Sequence, residues 1–280
     1  MPTLKLTKYH FKLEATEKIS LPAYKGSTFH GGFGHALMKI SPRWYQYFFE
    51  PGRDKQGDWP KPFVLLPPLD LLEVYPKGHQ FSCELTLFGE AVEHHAMAEA
   101  AIEYLGREMG LGYELGKFKV LEVVRSDHKP KDYPNSQQVN VKLTTRLRLK
   151  NNNRLQRTTP DFQLLITRLI GRLKTIEQAY TEHTPDHEYY NALIEKAAKI
   201  TTAKNTMEWS DWDRFSGRQK TWMKFGGLLG DAVYEGDLTP FLEILEIGEW
   251  LHIGGKTSFG LGKYELKYQG DNDETTHTVT

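Results

Sequence analysis

The segment Val141–Lys150 constrains the fold of this chain most, because its side chains alternate with a period of two residues. The odd positions are apolar except for one threonine, namely Val141, Leu143, Thr145, Leu147 and Leu149. The even positions are basic except for one threonine, namely Lys142, Thr144, Arg146, Arg148 and Lys150. Successive side chains of a β-strand point to opposite faces of its sheet. The segment is therefore predicted to be a strand with one face against a core and a basic stripe on the other.

The basic stripe suggests a contact with nucleic acid. Side chains on one face of a strand repeat at roughly 6.6 Å, twice the rise of about 3.3 Å per residue, near the spacing of phosphates along an extended single strand. The alternative is a solvated edge strand, where Lys and Arg discourage aggregation. Further cations favour nucleic acid and extend the predicted contact set, namely Arg154, Arg157, Arg214, Arg218, Lys220 and Lys224.

The distribution of charge is more informative than its sum, since 36 basic and 36 acidic residues leave no net charge. Residues 142–174 contain nine Lys or Arg and one acid, Asp161, a local net charge of +8. Residues 84–114 reverse the balance, with seven Glu against Arg107. Such segregation predicts one surface that faces an anion and acidic elements elsewhere.

Aromatic residues are interleaved with the later cations. Four of them lie in this part of the chain, namely Trp209, Trp212, Trp222 and Phe225. Aromatic rings beside a phosphate track are typical of proteins on which bases stack. Packing in the core explains the same residues equally well.

The first 125 residues predict a small α+β sandwich. A loop over residues 21–32 is predicted to precede a short helix whose inner face carries Phe33, Leu37 and Ile40, and Pro42 ends that helix. The other predicted elements are strands over Lys5–Leu13, Phe81–Phe88 and Phe118–Val124 and a helix over residues 91–109 that stops at Gly110.

The second half repeats these element types without a repeat at the level of residues. The predicted elements are a helix over Phe162–Tyr180, a helix over residues 240–247, and strands over residues 214–225, 230–234 and 249–267. A polar loop over residues 126–138 separates the halves. We therefore expect domains over residues 1–130 and 139–268, followed by a polar, disordered tail over residues 269–280.

Two features bear on the cellular compartment. No apolar run approaches the roughly 18 residues of a membrane span, and the N-terminus lacks the pattern of a signal peptide. Cys83 is the only cysteine, which excludes an internal disulfide and a cysteine-rich zinc site. The expectation is a cytoplasmic protein without cofactor, metal or membrane contact.

A Gly-rich stretch over residues 248–262 contains five glycines and Lys256. Gly255, Lys256 and Thr257 suggest a P-loop, but that motif needs glycine where Trp250 stands and a helix afterwards. Glycine still allows a backbone to approach a phosphate closely. Gly254, Gly255 and Lys256 are therefore predicted RNA contacts, with a nucleotide site as an alternative.

His30 and His35 are the predicted acid or base residues. His30 precedes Gly31 and Gly32, whereas His35 lies opposite the apolar stripe of the short helix, four residues before Lys39. A histidine near neutrality beside a cation can act on a ribose hydroxyl. An ordinary surface histidine is the alternative at both positions.

Several blocks resemble the CRISPR repeat-processing endoribonucleases of the RAMP superfamily. Residues 24–37 are similar to the family's first helix, and residues 144–150 to its Thr-Pro-Leu-Arg-Leu-Lys strand. Residues 106–118, 226–230 and 252–264 resemble further Gly-rich blocks, of which the last is the most specific. The resemblance implies two tandem ferredoxin-like, RRM-like domains with antiparallel sheets and helices on one face, and RNA held in a positive cleft.

The resemblance also implies the chemistry and the partners. Family members cut precursor CRISPR RNA within repeats without metal, by attack of a 2′-hydroxyl that leaves a 2′,3′-cyclic phosphate and a 5′-hydroxyl. A His serves as general acid or base, here His35 or His30, with Tyr24 and Lys39 as possible helpers. The implied partners are CRISPR repeat RNA and other CRISPR effector subunits.

The sequence departs from the family's pattern at two positions, and one alternative function is open. His30 stands where relatives commonly have Arg, and Thr145 where they commonly have Pro. His30 is therefore either catalytic or a replacement for a phosphate-binding Arg. A non-catalytic RNA-binding RAMP subunit of a CRISPR effector complex is the alternative function.

Overall fold

The computed structural model of the protein describes residues 4–52, 59–129, 135–216, 221–224 and 226–268. Of residues 213–216 and 221–224 it describes the backbone only. Arg218, Lys220 and the predicted tail over residues 269–280 lie outside these ranges. Within them, no helix has the length and apolarity that crossing a membrane requires.

The first sheet contains four antiparallel strands from the N-terminal half. They are β1 (Leu6–Ala15), β2 (Phe63–Leu66), β3 (Gln80–Phe88) and β4 (Phe118–Asp127), in the spatial order β2-β3-β1-β4. Its helices are α1 (Gly26–Ile40), α2 (Pro42–Phe49) and α3 (His95–Tyr104). Phe33 of α1, Ile102 of α3 and Phe11 of β1 belong to one buried cluster, so these helices cover one face of the sheet. The three strands predicted in this half are confirmed, with small shifts at their ends.

Helix α1 begins at Gly26, whereas the sequence predicts a loop up to residue 32. The glycines in its first turns are present because close packing leaves no room for a side chain. A Cβ on Gly26 would lie 2.2 Å from the carbonyl oxygen of Phe259, and one on Gly32 would lie 2.8 Å from the side chain of Leu105. Each glycine in a helix costs about 1 kcal/mol relative to alanine, which is why residues 21–32 predict a loop. His30 therefore lies within a helix. Pro42 follows the end of α1, as predicted, and starts α2.

The second sheet repeats the topology of the first. Its strands are β5 (Gln138–Leu147), β6 (Thr201–Asn205), β7 (Glu208–Ser210), β10 (Gly227–Glu235) and β11 (Tyr264–Tyr268), and β8 (Asp213–Ser216) and β9 (Thr221–Lys224) form a separate hairpin. The order β6-β10-β5-β11 matches that of the first sheet, with β7 also paired to β10. Each half thus has the strand order of a ferredoxin-like βαββαβ unit.

Three helices accompany the second sheet, namely α4 (Phe162–Tyr180), α5 (His187–Ala197) and α6 (Leu242–Leu251). The bounds of α4 are those predicted, and its seven predicted inner residues are all buried. Asp161 caps the helix by accepting a hydrogen bond of 2.7 Å from the N–H of Leu164. Buried residues of α4, α6 and β5 belong to one cluster.

The prediction of a strand over residues 249–267 is wrong except at its end. Residues up to Leu251 continue α6, and only Tyr264–Tyr268 is a strand. Between them His252, Gly254, Lys256, Gly260 and Gly262 have positive φ angles, which an extended strand does not contain. Helix α5 and strands β6 and β7 were not predicted.

The two halves are packed against each other. Leu6, Val64 and Phe88 of the first sheet belong to the buried cluster of the second half. The hydroxyl of Tyr180, at the end of α4, donates a hydrogen bond of 2.5 Å to the carbonyl of Pro60. These contacts bring α4 and the segment before β2 to the same junction.

Candidate active site and nucleic-acid interface

The Gly-rich loop, residues 252–262, is hydrogen-bonded to the end of β5. The N–H groups of Gly255 and Gly262 donate to the carbonyls of Arg148 and Arg146 at 2.8 and 3.0 Å. The buried hydroxyl of Thr145 donates to the carbonyl of Gly260 at 2.8 Å and accepts the N–H of Lys263 at 2.8 Å. Thr145 thus holds both ends of the last turn of the loop.

Two glycines of this loop are sterically required. Gly262 has a φ of +74°, and a Cβ there would lie 1.8 Å from the carbonyl oxygen of Ile253. Gly254 has a φ of +83°, and its Cβ would lie 2.6 Å from the carbonyl oxygen of Arg148. Gly255 differs, since a Cβ there would meet only the Arg148 oxygen at 3.6 Å. Its N–H already donates to the carbonyl of Arg148. Gly255 therefore leaves open space beside the loop and does not provide a hydrogen-bond donor.

Phe259 joins the Gly-rich loop to helix α1. The rings of Phe259 and His30 are stacked, with centroids 3.7 Å apart and an interplanar angle of 14°. The hydroxyl of Tyr24 donates a hydrogen bond of 2.7 Å to the carbonyl of Phe259. The structure therefore brings Tyr24 and His30, two of the four predicted catalytic residues, to the tip of the loop.

The imidazole of His30 is half-buried among aromatic rings. Besides Phe259, the ring of Phe49 lies 4.9 Å and that of Phe63 6.1 Å from it, centroid to centroid. A histidine held in this way has a fixed orientation, which acid–base chemistry requires. The neighbouring Gly34 makes room for Phe49, since a Cβ there would approach that ring to 2.7 Å.

Tyr24 links the site to the basic stripe. Its ring packs edge-on against Trp212, with centroids 4.6 Å apart, and the guanidinium of Arg146 lies 5.7 Å from the Trp212 ring. Burial raises the pKa of Tyr24, and the charge of Arg146 opposes that rise only in part. Tyr24 therefore stays protonated, and its hydroxyl donates a hydrogen bond to the Phe259 carbonyl. This hydrogen bond gives Tyr24 a positioning role.

His35 and Lys39 lie elsewhere on α1. Five residues advance a helix by about 140° beyond a full turn, so His35 points well away from His30. Both His35 and Lys39 are exposed. The four predicted catalytic residues thus form two groups, one at the Gly-rich loop and one on the outer surface of α1.

The alternation predicted for β5 is confirmed, although the strand runs from Gln138 to Leu147 and Lys150 lies in a separate short strand. Its odd residues from Val139 to Leu147 are buried, and the guanidinium groups of Arg146 and Arg148 donate to the carbonyls of Ser210 and Gly226. Burial lowers the pKa of both arginines.

Lys142 differs from the arginines of its strand. It lies directly across from Asp231 on β10 and from Glu265 on β11. Acidic residues on both neighbouring strands offset its charge.

The remaining predicted RNA contacts are spread around the end of β5. Lys150 and Arg154 are exposed in a pair of two-residue strands, Lys150–Asn151 and Arg154–Leu155. Arg157 is exposed, with its guanidinium 4.6 Å from the Trp209 ring. Arg214 and Lys224 lie on the hairpin of β8 and β9, described by its backbone only.

A cavity of about 850 Å³, here called the junction cavity, opens beside the Gly-rich loop between the two halves. Its walls include Lys61 from the segment before β2, Arg148 and Lys150 after β5, Arg168 of α4, and Lys256 of the loop. Sequence reasoning missed Lys61 and Arg168 as site residues. The helical period of α4 could have indicated Arg168, since it opposes the apolar stripe.

Two further residues support this region, namely Arg172, which is half-buried and lines the cavity, and the buried His252. The guanidinium of Arg172 donates two hydrogen bonds, of 3.1 and 2.9 Å, to the carbonyl of Leu251, and burial lowers its pKa to about 10. Burial, together with Lys263 and Arg172, lowers the pKa of His252 well below its usual value. Nδ1 of His252 lies 3.2 Å from the carbonyl oxygen of Leu261, so His252 braces the loop. In the described part of the chain, no three His, Cys, Asp or Glu side chains are grouped as metal ligands.

Family models match both halves of the sequence. A model of an N-terminal domain, AF_1859_N, matches residues 4–151, more than half of the chain. The model of the CRISPR-associated endoribonuclease Cas6 matches residues 141–264. No curated protein matches the sequence.

Solved Cas6 structures share this fold over almost its whole length. Cas6 (TTHB231) of Thermus thermophilus is 16% identical, with a TM-score of 0.63 over 95% of this chain and 100% of its own. The Cas6 (TTHB231) product complex is 18% identical, with a TM-score of 0.65 over 94% and 99% of the two chains. A partial Cas6-RT-Cas1–Cas2 complex is 14% identical, with a TM-score of 0.65 over 96% of this chain and 47% of the other. Residues 141–264 thus match the CRISPR-associated endoribonuclease Cas6 family, and the chain as a whole has the fold of the solved Cas6 structures.

Proposed function

We propose that the protein cuts precursor CRISPR RNA within its repeats without a metal ion, using His30 as general acid or base. The observation that carries this proposal is the stacking of His30 on Phe259. This contact joins a titratable side chain of the first half to the Gly-rich loop of the second, beside the junction cavity.

The reaction needs only proton transfer at two oxygen atoms. The 2′-hydroxyl before the scissile phosphate loses its proton to a base, and its oxygen attacks the phosphorus. The bond from phosphorus to the 5′-oxygen breaks, and that oxygen takes a proton. The products are a 2′,3′-cyclic phosphate and a 5′-hydroxyl. A positioned histidine contributes roughly 10²- to 10⁴-fold to such a step.

Each of the other predicted residues has a place in this proposal. Tyr24 positions Phe259, and thereby the ring stacked on His30. Residues 1–130 form the domain that supplies the histidine, and residues 139–268 the domain that supplies most cations. His35, with Lys39 four residues later, is the alternative acid or base, because both are exposed and on one face of α1.

RNA binding is assigned to the cations around β5 and to the Gly-rich loop. The set is Lys142, Arg146, Arg148, Lys150, Arg154, Arg157, Arg214, Arg218, Lys220, Lys224, Gly254, Gly255 and Lys256. The ligand is CRISPR repeat RNA. The Cas6-RT-Cas1–Cas2 assembly of a structural neighbour suggests other CRISPR proteins as further partners.

The proposal is tested by cleavage of the repeat of a neighbouring array in excess chelator. We expect one cut within the repeat, a 5′-hydroxyl on one product and a cyclic phosphate on the other. Replacing the 2′-hydroxyl before the cut by hydrogen should abolish cleavage, while a 2′-deoxy substitution one nucleotide further should not. Loss of cleavage on chelation, with recovery on adding Mg²⁺, would contradict the metal-independent mechanism.

A non-catalytic RNA-binding subunit is the second candidate. It is favoured by the aromatic rings around His30, since Phe49, Phe63 and Phe259 would also suit a purely structural histidine. Tight binding of the repeat with no product after long incubation would support it.

A further inference from the structure

We infer that Thr145 is a positioning residue of the cleavage reaction, which fixes Phe259 and thereby the orientation of His30. Thr145 lies near the end of β5 and is only 3% exposed, so it touches neither RNA nor the reacting atoms. This inference rests on the proposed function and adds to it a residue without charge or acid–base chemistry of its own.

Thr145 is the polar exception in the buried row of β5. The other odd positions of the strand are aliphatic and buried, namely Val139, Val141, Leu143 and Leu147. Valine has nearly the shape of threonine and suits a strand equally well, whereas a buried hydroxyl without hydrogen bonds destabilises a core. The presence of threonine in this row therefore points to what its hydroxyl binds.

The hydroxyl of Thr145 holds the turn that ends the Gly-rich loop. It donates a hydrogen bond to the carbonyl of Gly260 and accepts one from the N–H of Lys263, each at 2.8 Å. Gly260 and Gly262 of this turn have φ angles of +82° and +74°, and glycine has the widest backbone freedom of all residues. The turn is therefore not stiff by itself. Its position is set by this hydroxyl, together with the hydrogen bond from Gly262 to the carbonyl of Arg146.

Phe259 is held by two hydroxyl groups from opposite halves of the chain. Tyr24 of the first half donates to the carbonyl of Phe259 at 2.7 Å. Thr145 of the second half donates to the next carbonyl, that of Gly260, at 2.8 Å. Two consecutive peptide planes are thereby oriented, and the first of them contains the Cα of Phe259. The direction in which the Phe259 ring leaves the backbone therefore depends on Thr145.

The turn lies against the first half, so that its displacement is transmitted to His30. A Cβ on Gly260 would lie 2.6 Å from Cδ of Pro67 and 2.9 Å from the carbonyl oxygen of Leu65. The rings of Phe259 and His30 are stacked at 3.7 Å, with 14° between their planes. A misplacement of about 1 Å in an active site can cost roughly 10²-fold in rate. A small shift of the turn is therefore enough to affect the reaction.

Thr145→Val tests the inference, because it removes the hydroxyl and keeps the shape. We expect the single-turnover rate of repeat cleavage to fall roughly tenfold, within the loss that a misplacement of about 1 Å causes. The Kd for a repeat with a 2′-deoxy nucleotide at the mapped cut should change less than about twofold, since no cation is removed. Thr145→Ser keeps the hydroxyl and should cleave within about threefold of the unsubstituted rate.

The matched control is Thr144→Val. Thr144 is half-buried on the opposite face of β5, and its hydroxyl lies 3.4 Å from the carbonyl oxygen of Lys263, at the limit of a hydrogen bond. We expect this variant to cleave at the unsubstituted rate. Thermal unfolding shows whether each variant is folded at the assay temperature. If Thr145→Val is not, Thr145→Cys decides the question, because its thiol is a weaker donor and acceptor and should give an intermediate rate.

A positioning role is separated from a purely structural one by combining Thr145→Val with His30→Ala. The double variant should cleave as slowly as His30→Ala alone, because two substitutions that act through the same group are not additive. A general defect of stability would slow the His30→Ala protein by the same factor as the unsubstituted one.

The inference is overturned if that equal slowing is found, or if Thr145→Val cleaves at the unsubstituted rate. It is equally overturned if Thr145→Ser is as slow as Thr145→Val, or if Kd rises in step with the loss of rate. In each of these cases, retained cutting by the unsubstituted protein would leave the proposed function standing. An unsubstituted protein that does not cut the repeat would refute the proposed function and the inference with it.

Discussion

The central strands of the two sheets occupy equivalent positions but differ in how their cations are engaged. Strand β1 carries Lys8 and His10 on the face away from its helices, and both lie near Glu84 of β3, at 3.5 and 3.7 Å. Strand β5 carries Arg146 on its outer face, and its guanidinium bonds the carbonyl of Ser210. A carbonyl orients a cation without removing its charge.

The difference indicates that two sheets of the same topology can present their cations in different ways. The first half supplies His30, and the cations of its central strand lie near a carboxylate. The second half supplies charge and a backbone loop of unusual conformation. The predictions below test this division of roles, beginning with the largest expected effect.

Substitution of the two histidines tests the role of the first half. We expect His30→Ala to slow single-turnover cleavage at least about a hundredfold, because a general acid or base contributes roughly 10²- to 10⁴-fold, with repeat binding retained. His35→Ala should slow it less than about tenfold, since His35 is exposed on the outer surface of α1. The opposite ranking would assign the reaction to His35 and Lys39.

The Gly-rich loop of the second half is tested by glycine substitutions of differing steric cost. Gly262→Ala forces a Cβ against the Ile253 carbonyl in a left-handed conformation, whereas Gly255→Ala meets only ordinary contact. We expect Gly262→Ala to reduce cleavage roughly tenfold or more and to lower the melting temperature. Gly255→Ala, at a position also assigned to RNA binding, is the matched control for the melting temperature. Equal effects of both substitutions would show that the loop conformation does not matter.

Charge on β5 is tested by Arg146→Gln against Lys142→Gln. Loss of Arg146 should raise the Kd for repeat RNA roughly five- to tenfold, because one phosphate contact is lost. Loss of Lys142 should change it less than about twofold, since Asp231 and Glu265 already face that lysine. Binding curves at several salt concentrations measure both, and a stronger effect of Lys142 would extend the RNA track along the whole strand.

The smallest predicted effect concerns His252, whose buried ring is held neutral. Its folded pKa is depressed, so between that value and about 6.5 the unfolded chain binds more protons than the folded one. The free energy of unfolding should therefore decline as pH falls below about 6.5, by up to about 1.4 kcal/mol per pH unit from this group. Denaturant unfolding of His252→Gly, which also suits the positive φ there, should show a shallower decline between pH 7 and 5. An unchanged slope would exclude His252 as its source.

The sequence predicted much of the fold because many elements carry a clear period. The seven inner residues of α4 repeat at helical spacing, and the apolar residues of β5 repeat at every second position. Each pattern therefore predicts which face of its element is buried. Helix α5 has a weaker pattern, with only Tyr190, Leu193 and Ala197 buried, and was missed. Helix α1 was shortened because its glycines disfavour a helix locally, while distant partners such as Phe259 and Leu105 require them.

The candidate site was predictable in its parts and not in its arrangement. Local patterns singled out Tyr24, His30, His35 and the Gly-rich loop, but no pattern indicated which histidine faces that loop. Only tertiary packing decides this, because His30 and Phe259 come from different halves of the chain and meet where the halves join. The basic strand was likewise determined by the sequence, through its period of two. The junction cavity was decided by the tertiary structure, since its cations belong to segments that share no local pattern. Most of them meet when the second half folds, and Lys61 joins them where the two halves pack together.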